Sequence, residues 1–375
     1  MNSKRLYALI IKEFLAVWQD KKSRLVLILP PLIQLFLFAF AATLDVTNIS
    51  MVILNRDYGK QAYELTQRFQ GAPYFKHIRY VNSLDEIQKA IDNQEAMAAL
   101  HIDEQFSKQL LSGNEAKVQL ILDGRKSNTA QIIQGYANRI ILRYYYDFAK
   151  EMKPVQQNLP IPTTEIISRN WFNPNLVYTW FTVPGLVAVL TMVISLLVSA
   201  LSVARERELG TFDQLLVSPL TPVAILIGKT IPGLVISMIE GTLILIIAIF
   251  FFGIPFTGSI IALYFAMIFF ILSIIGIGLF ISSLCSTQQQ ALLGAFVFMV
   301  TAVILSGFAT PIDNMPLWLQ KMTVINPLKY FLIICRALFL KAMPIRLVLQ
   351  NLIPITICAF INLFIAQWFF KKRLE

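Results

Sequence analysis

Gly228-Lys229-Thr230 is the first place in this chain to look for chemistry, because a glycine-lysine-threonine triplet ends the loop that cradles nucleotide phosphates. That loop needs another glycine five residues ahead of Gly228, and Val223 stands there. The triplet also follows no strand and opens an apolar run, whereas a phosphate cradle needs flexible backbone N–H groups. Nucleotide binding by this chain is therefore not expected, and any use of ATP must come through another subunit. His77 and His101, the two histidines, fall on separate predicted strands, and nothing marks a Ser/His/Asp set around them. Cys285, Cys335 and Cys358 have no CxxC or Cys/His spacing, which argues against a zinc site or a disulfide framework. No catalytic residue and no metal ligand is expected. Glu240 is different, because it stands alone inside an apolar run, and a lone carboxylate is costly in lipid. It either contacts a substrate or gate along a pathway, or makes a structural hydrogen bond to a neighbouring helix.

The elements that must position these residues are set by hydropathy. The chain has 375 residues, 56% hydrophobic and 14% charged, with a mean hydropathy of +0.64. A soluble fold cannot bury that much apolar surface, and the apolar residues gather in long runs. Six runs, 25–44, 176–203, 231–252, 260–284, 291–309 and 350–370, approach or exceed the about 20 residues a membrane helix needs. The net charge of +10 does not point to nucleic acid. Residues 45–174 carry 15 Lys and Arg against 14 Asp and Glu, and much of the excess lies beside the apolar runs. There it acts as an orientation signal and attracts anionic lipid. Basic residues in 1–24 and Lys371, Lys372 and Arg373 place both termini in the cytoplasm. One segment resists this count: 310–349 falls outside yet holds Lys321, Lys329, Arg336, Lys341 and Arg346. Its apolar stretch 328–340 is only 13 residues long and reads as a re-entrant or interfacial helix.

The fold expected is an α-helical polytopic membrane protein of six transmembrane helices with an inserted extracytoplasmic α/β domain. Residues 1–24 form a cytoplasmic interfacial amphipathic helix, with Leu6, Leu9, Ile10, Phe14 and Val17 on one face, and 25–44 the first span. Residues 45–174 form the α/β domain. Its strands are predicted at 49–54, 75–81, 96–102 and 118–122, and its helices at 61–69, 84–94, 104–111 and 130–150. Ser83 caps the second helix, with Glu86 in the capping-box position. Residues 175–375 supply five further spans, a cytoplasmic coupling loop at 204–230 and the outer re-entrant segment 310–349. In the loop, Arg205-Glu206-Arg207-Glu208 cannot sit in lipid. Leu209, Phe212, Leu215 and Leu216 then share one helical face, and Ser218-Pro219 and Thr221-Pro222 end that helix.

This layout resembles the ABC-2 type permeases, in particular bacterial export permeases that pair with a separate ATPase. The resemblance rests on RERELGTFDQLLVSPLTPVAILIGK (205–229), RNWFNPN (169–175) and SGFATPIDNMPLWLQKMTVINPLKY (306–330), and covers nearly the whole chain. It implies a non-catalytic subunit of a multidrug-type exporter in the bacterial inner membrane, moving a hydrophobic or amphipathic, drug-like or lipid-like substrate. The implied partners are an ABC ATPase that binds ATP-Mg, a second permease half (the same chain or a paralogue), and often a membrane-fusion protein. No cofactor is expected on this chain. The resemblance places Arg205, Glu206, Arg207, Glu208, Gly210, Thr211, Leu215 and Leu216 at the ATPase contact, with Ser286–Gln290 as a smaller one. Glu240 is the pathway candidate, and Arg169, Trp171, Asn173 and Pro174 are outer gate or interface candidates. The competing reading is a membrane-anchored sensor or scaffold whose outer domain binds a ligand or protein.

Overall fold

The computed structural model describes residues 3–19, 21–41, 46, 48–152, 172–173, 177–212 and 221–372. The chain divides into two compact units, one of residues 44–168 and one of 1–43 with 169–375.

The smaller unit carries one four-stranded sheet, and its elements follow local sequence signals closely. The strands are β1 (Ile49–Asn55), β2 (Phe75–Tyr80), β3 (Ala98–Ile102) and β4 (Val118–Leu122). They lie in the order β2-β1-β3-β4, with β1 parallel to β2 and β3, and β4 antiparallel to β3. In this unit the helices are α3 (Lys60–Gln70), α4 (Leu84–Asp92), α5 (Phe106–Leu111) and α6 (Ser127–Met152). Parallel neighbours need crossovers, and α3 and α4 lie in those crossovers. Ser83 caps α4: its Oγ accepts from Glu86 N at 3.3 Å, while Glu86 Oε2 accepts from Asn82 N, one residue before the cap, at 3.3 Å. Core residues sit on both faces of the sheet. Met51, Ile53 and Leu100 pack with Leu65, Phe69, Phe106 and Ile133 on one side, and Val52, Leu54 and Ala99 with Ile87 and Ala90 on the other. His101 Nδ1 lies 3.4 Å from Gln119 Oε1 on the neighbouring strand, and no group of metal-ligating side chains forms among the described residues.

The larger unit is helical. Its helices are α1 (Ser3–Gln19), α2 (Lys21–Ala41), α7 (Tyr178–Glu208), α8 (Pro222–Ile246), α9 (Ile260–Leu284), α10 (Gln288–Ile304), α11 (Leu317–Met322), α12 (Pro327–Leu340) and α13 (Ile345–Lys372). A short π-helical stretch, Ile247–Phe251, extends α8. Among the described residues four helices are long and apolar enough to cross a membrane: Tyr178–Glu208, Pro222–Phe251, Ile260–Leu284 and Ile345–Lys372. A fifth arises if Leu317–Ile325 and Pro327–Leu340, bent by 82° at their break, are taken as one broken span. That bend falls where the sequence predicts a re-entrant piece. The expected first span contains the shorter apolar helix Ile28–Phe40, and the expected fifth overlaps Gln288–Ile304.

Between apolar helices in lipid, close approach and hydrogen bonds replace the hydrophobic drive. The packing of α9 on α13 shows both. A Cβ on Gly276 would stand 2.8 Å from the backbone of Asn362 and Leu363, so only glycine admits this approach. Nearby, Asn362 Nδ2 donates to Ser273 Oγ at 3.0 Å and to Ser273 O at 3.2 Å.

One expectation for the 204–230 loop is corrected, the helical face shared by Leu209 and Phe212. The charged cluster 205–208 does not begin a new helix: it is the last turn of α7, which stops at Leu209 because Gly210 takes φ +70°. Leu209 is 64% exposed while Phe212 is buried, so the two do not share a buried face. Thr221-Pro222 starts a helix, and whether it also ends one falls on residues 213–220, outside the described residues. Thr221 Oγ1 accepts from Ala224 N at 3.3 Å, and Pro222 occupies the first helical position, where its missing N–H costs nothing. Lys229 therefore lies inside α8.

Candidate functional site

The sequence places Lys12-Glu13, Glu206 and Lys229 at three distant points, and the fold brings the four charges into one chain of contacts. Lys12 Nζ, on α1, donates to Glu206 Oε1 on α7 at 2.6 Å. Glu206 Oε2 lies 2.8 Å from Lys229 Nζ on α8. Lys229 Nζ donates in turn to Glu13 Oε1 on α1 at 2.9 Å, and reaches Ser202 Oγ at 3.3 Å. Signs alternate along the row, so two cations and two anions neutralise one another. The Lys229 side chain is 1% exposed. Burying such charges is tolerable only when each is paired and hydrogen-bonded, and this arrangement ties α1, α7 and α8 together at one point.

Gly228 has a part in the same junction. A Cβ there would collide with the Leu9 side chain, whose Cγ lies 2.9 Å from that position. The glycine is therefore the socket into which α1 inserts Leu9, which is buried. The Gly-Lys pair that imitates a nucleotide loop is an apolar socket and an ionic anchor for the N-terminal helix. The other side of α1 stays open: Tyr7 is 67% and Trp18 68% exposed, with Ile11 and Leu15 between them on the same stripe. Aromatic ends around an aliphatic centre suit a helix lying at a lipid interface.

Arg207 and Glu208 hold the turn between α9 and α10, and Arg205 is half-buried. Ser282 Oγ accepts from the N–H groups of Val203 at 3.0 Å and Ala204 at 2.9 Å. Arg207 Nη1 donates to Ser283 O at 2.8 Å and Cys285 O at 3.1 Å, carbonyls at the end of α9. Its guanidinium also covers the Phe212 ring at 4.8 Å. Glu208 Oε2 accepts from Gln288 N at 2.8 Å, one of the open donors at the start of α10. Ser286–Gln290 is itself a capping box, with Gln290 N donating to Thr287 Oγ1 at 3.3 Å and Ser286 N to Gln290 Oε1 at 3.0 Å. The two predicted contact segments thus form one corner. Glu206 faces inward, while Glu208, Leu209 and Gly210 are exposed and Thr211 is half-buried. Leu215 and Leu216 lie outside the described residues.

Of the outer candidates, Arg169, Trp171 and Pro174 also lie outside the described residues. Asn173 closes the turn before α7: its Oδ1 accepts from Val177 N at 3.0 Å and its Nδ2 donates to Val177 O at 2.9 Å. Glu240 is buried, next to Gly241, whose Cβ position lies against Thr191 and Met267. Its Oε1 has no hydrogen-bond partner among the described residues, and neither has Ser237 Oγ one turn earlier. The interhelical bond that a purely structural role asks of Glu240 is thus not made by that oxygen.

The four-charge junction is not visible in the sequence because its bonded pairs are as much as 216 residues apart. The available signal was charge balance: Lys12, Glu13, Glu206 and Lys229 each sit beside apolar helix faces and need partners.

Comparison with known proteins places these features in a family. The profile described as ABC-2 family transporter protein matches residues 21–368. The chain is 46% identical over 353 residues to the probable multidrug ABC transporter permease YbhR of Escherichia coli strain K12, covering 94% of each chain. It is 32% identical over 381 residues to the probable multidrug ABC transporter permease YbhS of the same organism, covering 100% of this chain and 98% of the relative. Similarity to the inner membrane transport permease YhhJ is lower, 23% over 341 residues. With a helical unit whose spans meet at a charged corner and a match over nearly its full length, the chain belongs to the ABC-2 family of transporter proteins, as a non-catalytic permease whose ATPase is a separate subunit.

Proposed function

We propose that this chain is the membrane-spanning half-pathway of an ATP-driven exporter in a bacterial inner membrane, and that the corner around Arg205–Thr211 receives the thrust of the ATPase. The carrying observation is that this corner is rigidly built on the inside and open on the outside. Glu206 is locked to α1 and α8, Arg207 and Glu208 hold α9 and α10, and Leu209–Gly210 face solvent. A push there moves five helices together. In this reading the corner and both termini are cytoplasmic, six spans form, the α/β unit lies outside, and ATP-Mg is bound by the ATPase. Two permease halves share one pathway, and a membrane-fusion protein extends it. The names of the relatives favour drug-like cargo, and a hydrophobic or amphipathic substrate suits the apolar bundle.

Glu240 is the pathway residue within this proposal, supported by its buried carboxylate oxygen without a partner. Glu240→Gln is expected to slow ATP-driven efflux about tenfold, the scale of one lost contact worth about 1.4 kcal/mol, with assembly unchanged on size exclusion. Normal efflux by that variant returns Glu240 to a structural role. The sensor reading keeps one observation in its favour, a groove of about 840 Å³ in the α/β unit beside His101, Phe106 and Tyr144. ATPase co-purification with efflux in reconstituted vesicles supports the exporter. Ligand binding in that groove without either supports the sensor.

A further inference from the structure

The five basic residues of 310–349 fit no orientation rule, and Asp313 is the only acidic residue in that segment. None of the five forms a salt bridge among the described residues. Four lie at or outside the ends of α12, whereas Arg336 sits within it, on the second limb of the bent pair. Its guanidinium carbon lies 4.0 Å from the centre of the Phe181 ring and 6.0 Å from that of Phe308. Aromatic faces offset part of the cost of burying a cation but accept no strong hydrogen bonds. Nε and Nη2 are both buried and both lack a hydrogen-bond partner among the described residues. These two atoms are the pair whose N–H bonds point the same way. Together they make the side-on fork that takes two oxygens of one carboxylate or phosphate.

We propose that Arg336 is an oxyanion site, which takes the phosphate or carboxylate headgroup of an anionic amphiphile while the Phe181 and Phe308 rings flank its apolar part. Phe308 follows Gly307, at φ +83°, and its ring lies against Gly185, where a Cβ would come within 2.7 Å. The glycine at 185 thus leaves room for the ring. Lys341, whose Nζ lies 5.4 Å from the centre of the Phe172 ring, adds positive charge to the same segment without neutralising it. The inference rests on the exporter reading only for what the anion does there, because its test needs neither ATPase nor transport.

The test is native mass spectrometry of the purified full chain, released from neutral dodecyl maltoside and titrated with dodecyl phosphate. The wild type is expected to retain one dodecyl phosphate. Arg336→Gln should weaken binding at least tenfold. Arg336→Lys, which keeps the charge and loses the fork, should weaken it at least threefold and decides the matter if the glutamine variant does not fold. Dodecyltrimethylammonium binding should be the same in all three. Competition by inorganic phosphate identifies a free-anion site, whereas a co-purifying phospholipid lost in Arg336→Lys identifies a lipid headgroup. Equal dodecyl phosphate binding by wild type and Arg336→Lys overturns the proposal. So does a change in oligomeric state without a change in binding, which assigns the fork to a carboxylate of the second permease half. Absence of efflux by the wild type, with this binding intact, counts against the exporter reading alone.

Discussion

Replacing Lys229 by methionine is expected to destabilise the helical unit by about 3–5 kcal/mol, the usual cost of removing one partner from a buried ion pair. Methionine has a similar length and volume, so the loss is of charge and not of shape. Glu13 Oε1 and Glu206 Oε2, now 2.9 and 2.8 Å from the ammonium, are left facing one another without it. Lys12 can still neutralise Glu206 from its more exposed position, but Glu13 keeps no cation in the junction. The effect should appear as a lower unfolding midpoint in detergent and as faster tryptic release of α1. Lys229→Met combined with Glu13→Gln and Glu206→Gln should recover most of the loss, since neutral amides do not repel. A loss for Lys229→Met under about 1 kcal/mol would mean that the junction behaves as an exposed surface pair.

Charge reversal at Glu206 and at Glu208 is expected to have opposite signatures, although the residues are two apart in one charged cluster. Glu206→Lys places a third ammonium between Lys12 and Lys229 in a buried site. Its cost is on the scale of about 3–5 kcal/mol, so loss of function there reports a broken junction. Glu208→Lys replaces an exposed carboxylate that caps the start of α10. The expected cost is about 1 kcal/mol, with the fold retained but ATPase stimulation lost. Unfolding midpoints and ATP hydrolysis by the co-purified complex separate the two outcomes. Full stimulation by a folded Glu208→Lys chain would remove that residue from the contact.

The α/β unit was legible almost residue by residue because its signals are local. The Ser83 cap with Glu86 and the stop near Gly113 depend on neighbours a few positions away. Helix limits in the apolar unit were harder. Proline reads as a stop in the sequence, yet Pro222 begins α8, and only the Thr221 cap distinguishes the two cases. The junction was not legible at all as a site. Lys229 drew attention for a local pattern it does not fulfil, while its partners come from α1 and α7. Nothing short of the packed helices says that Gly228 is a socket for Leu9. Arg336 was visible as a charge on the wrong side of the count, but its vacant fork depends on Phe181 and Phe308 standing where they do.

Photo-cross-linking shows whether a separate ATPase acts on this chain at the end of α7. A benzophenone maleimide is attached at Leu209→Cys, in a chain with Cys285 replaced by serine, and the complex is illuminated with and without ATP-Mg. Leu209 is exposed beside the corner, and Lys341 lies near Thr257, beyond the far end of α8. The prediction is a cross-link from position 209 to the ATPase that changes in yield with nucleotide, and none from the same label at Lys341→Cys. A complex that purifies intact and hydrolyses ATP, yet cross-links from position 341 and never from 209, would contradict it.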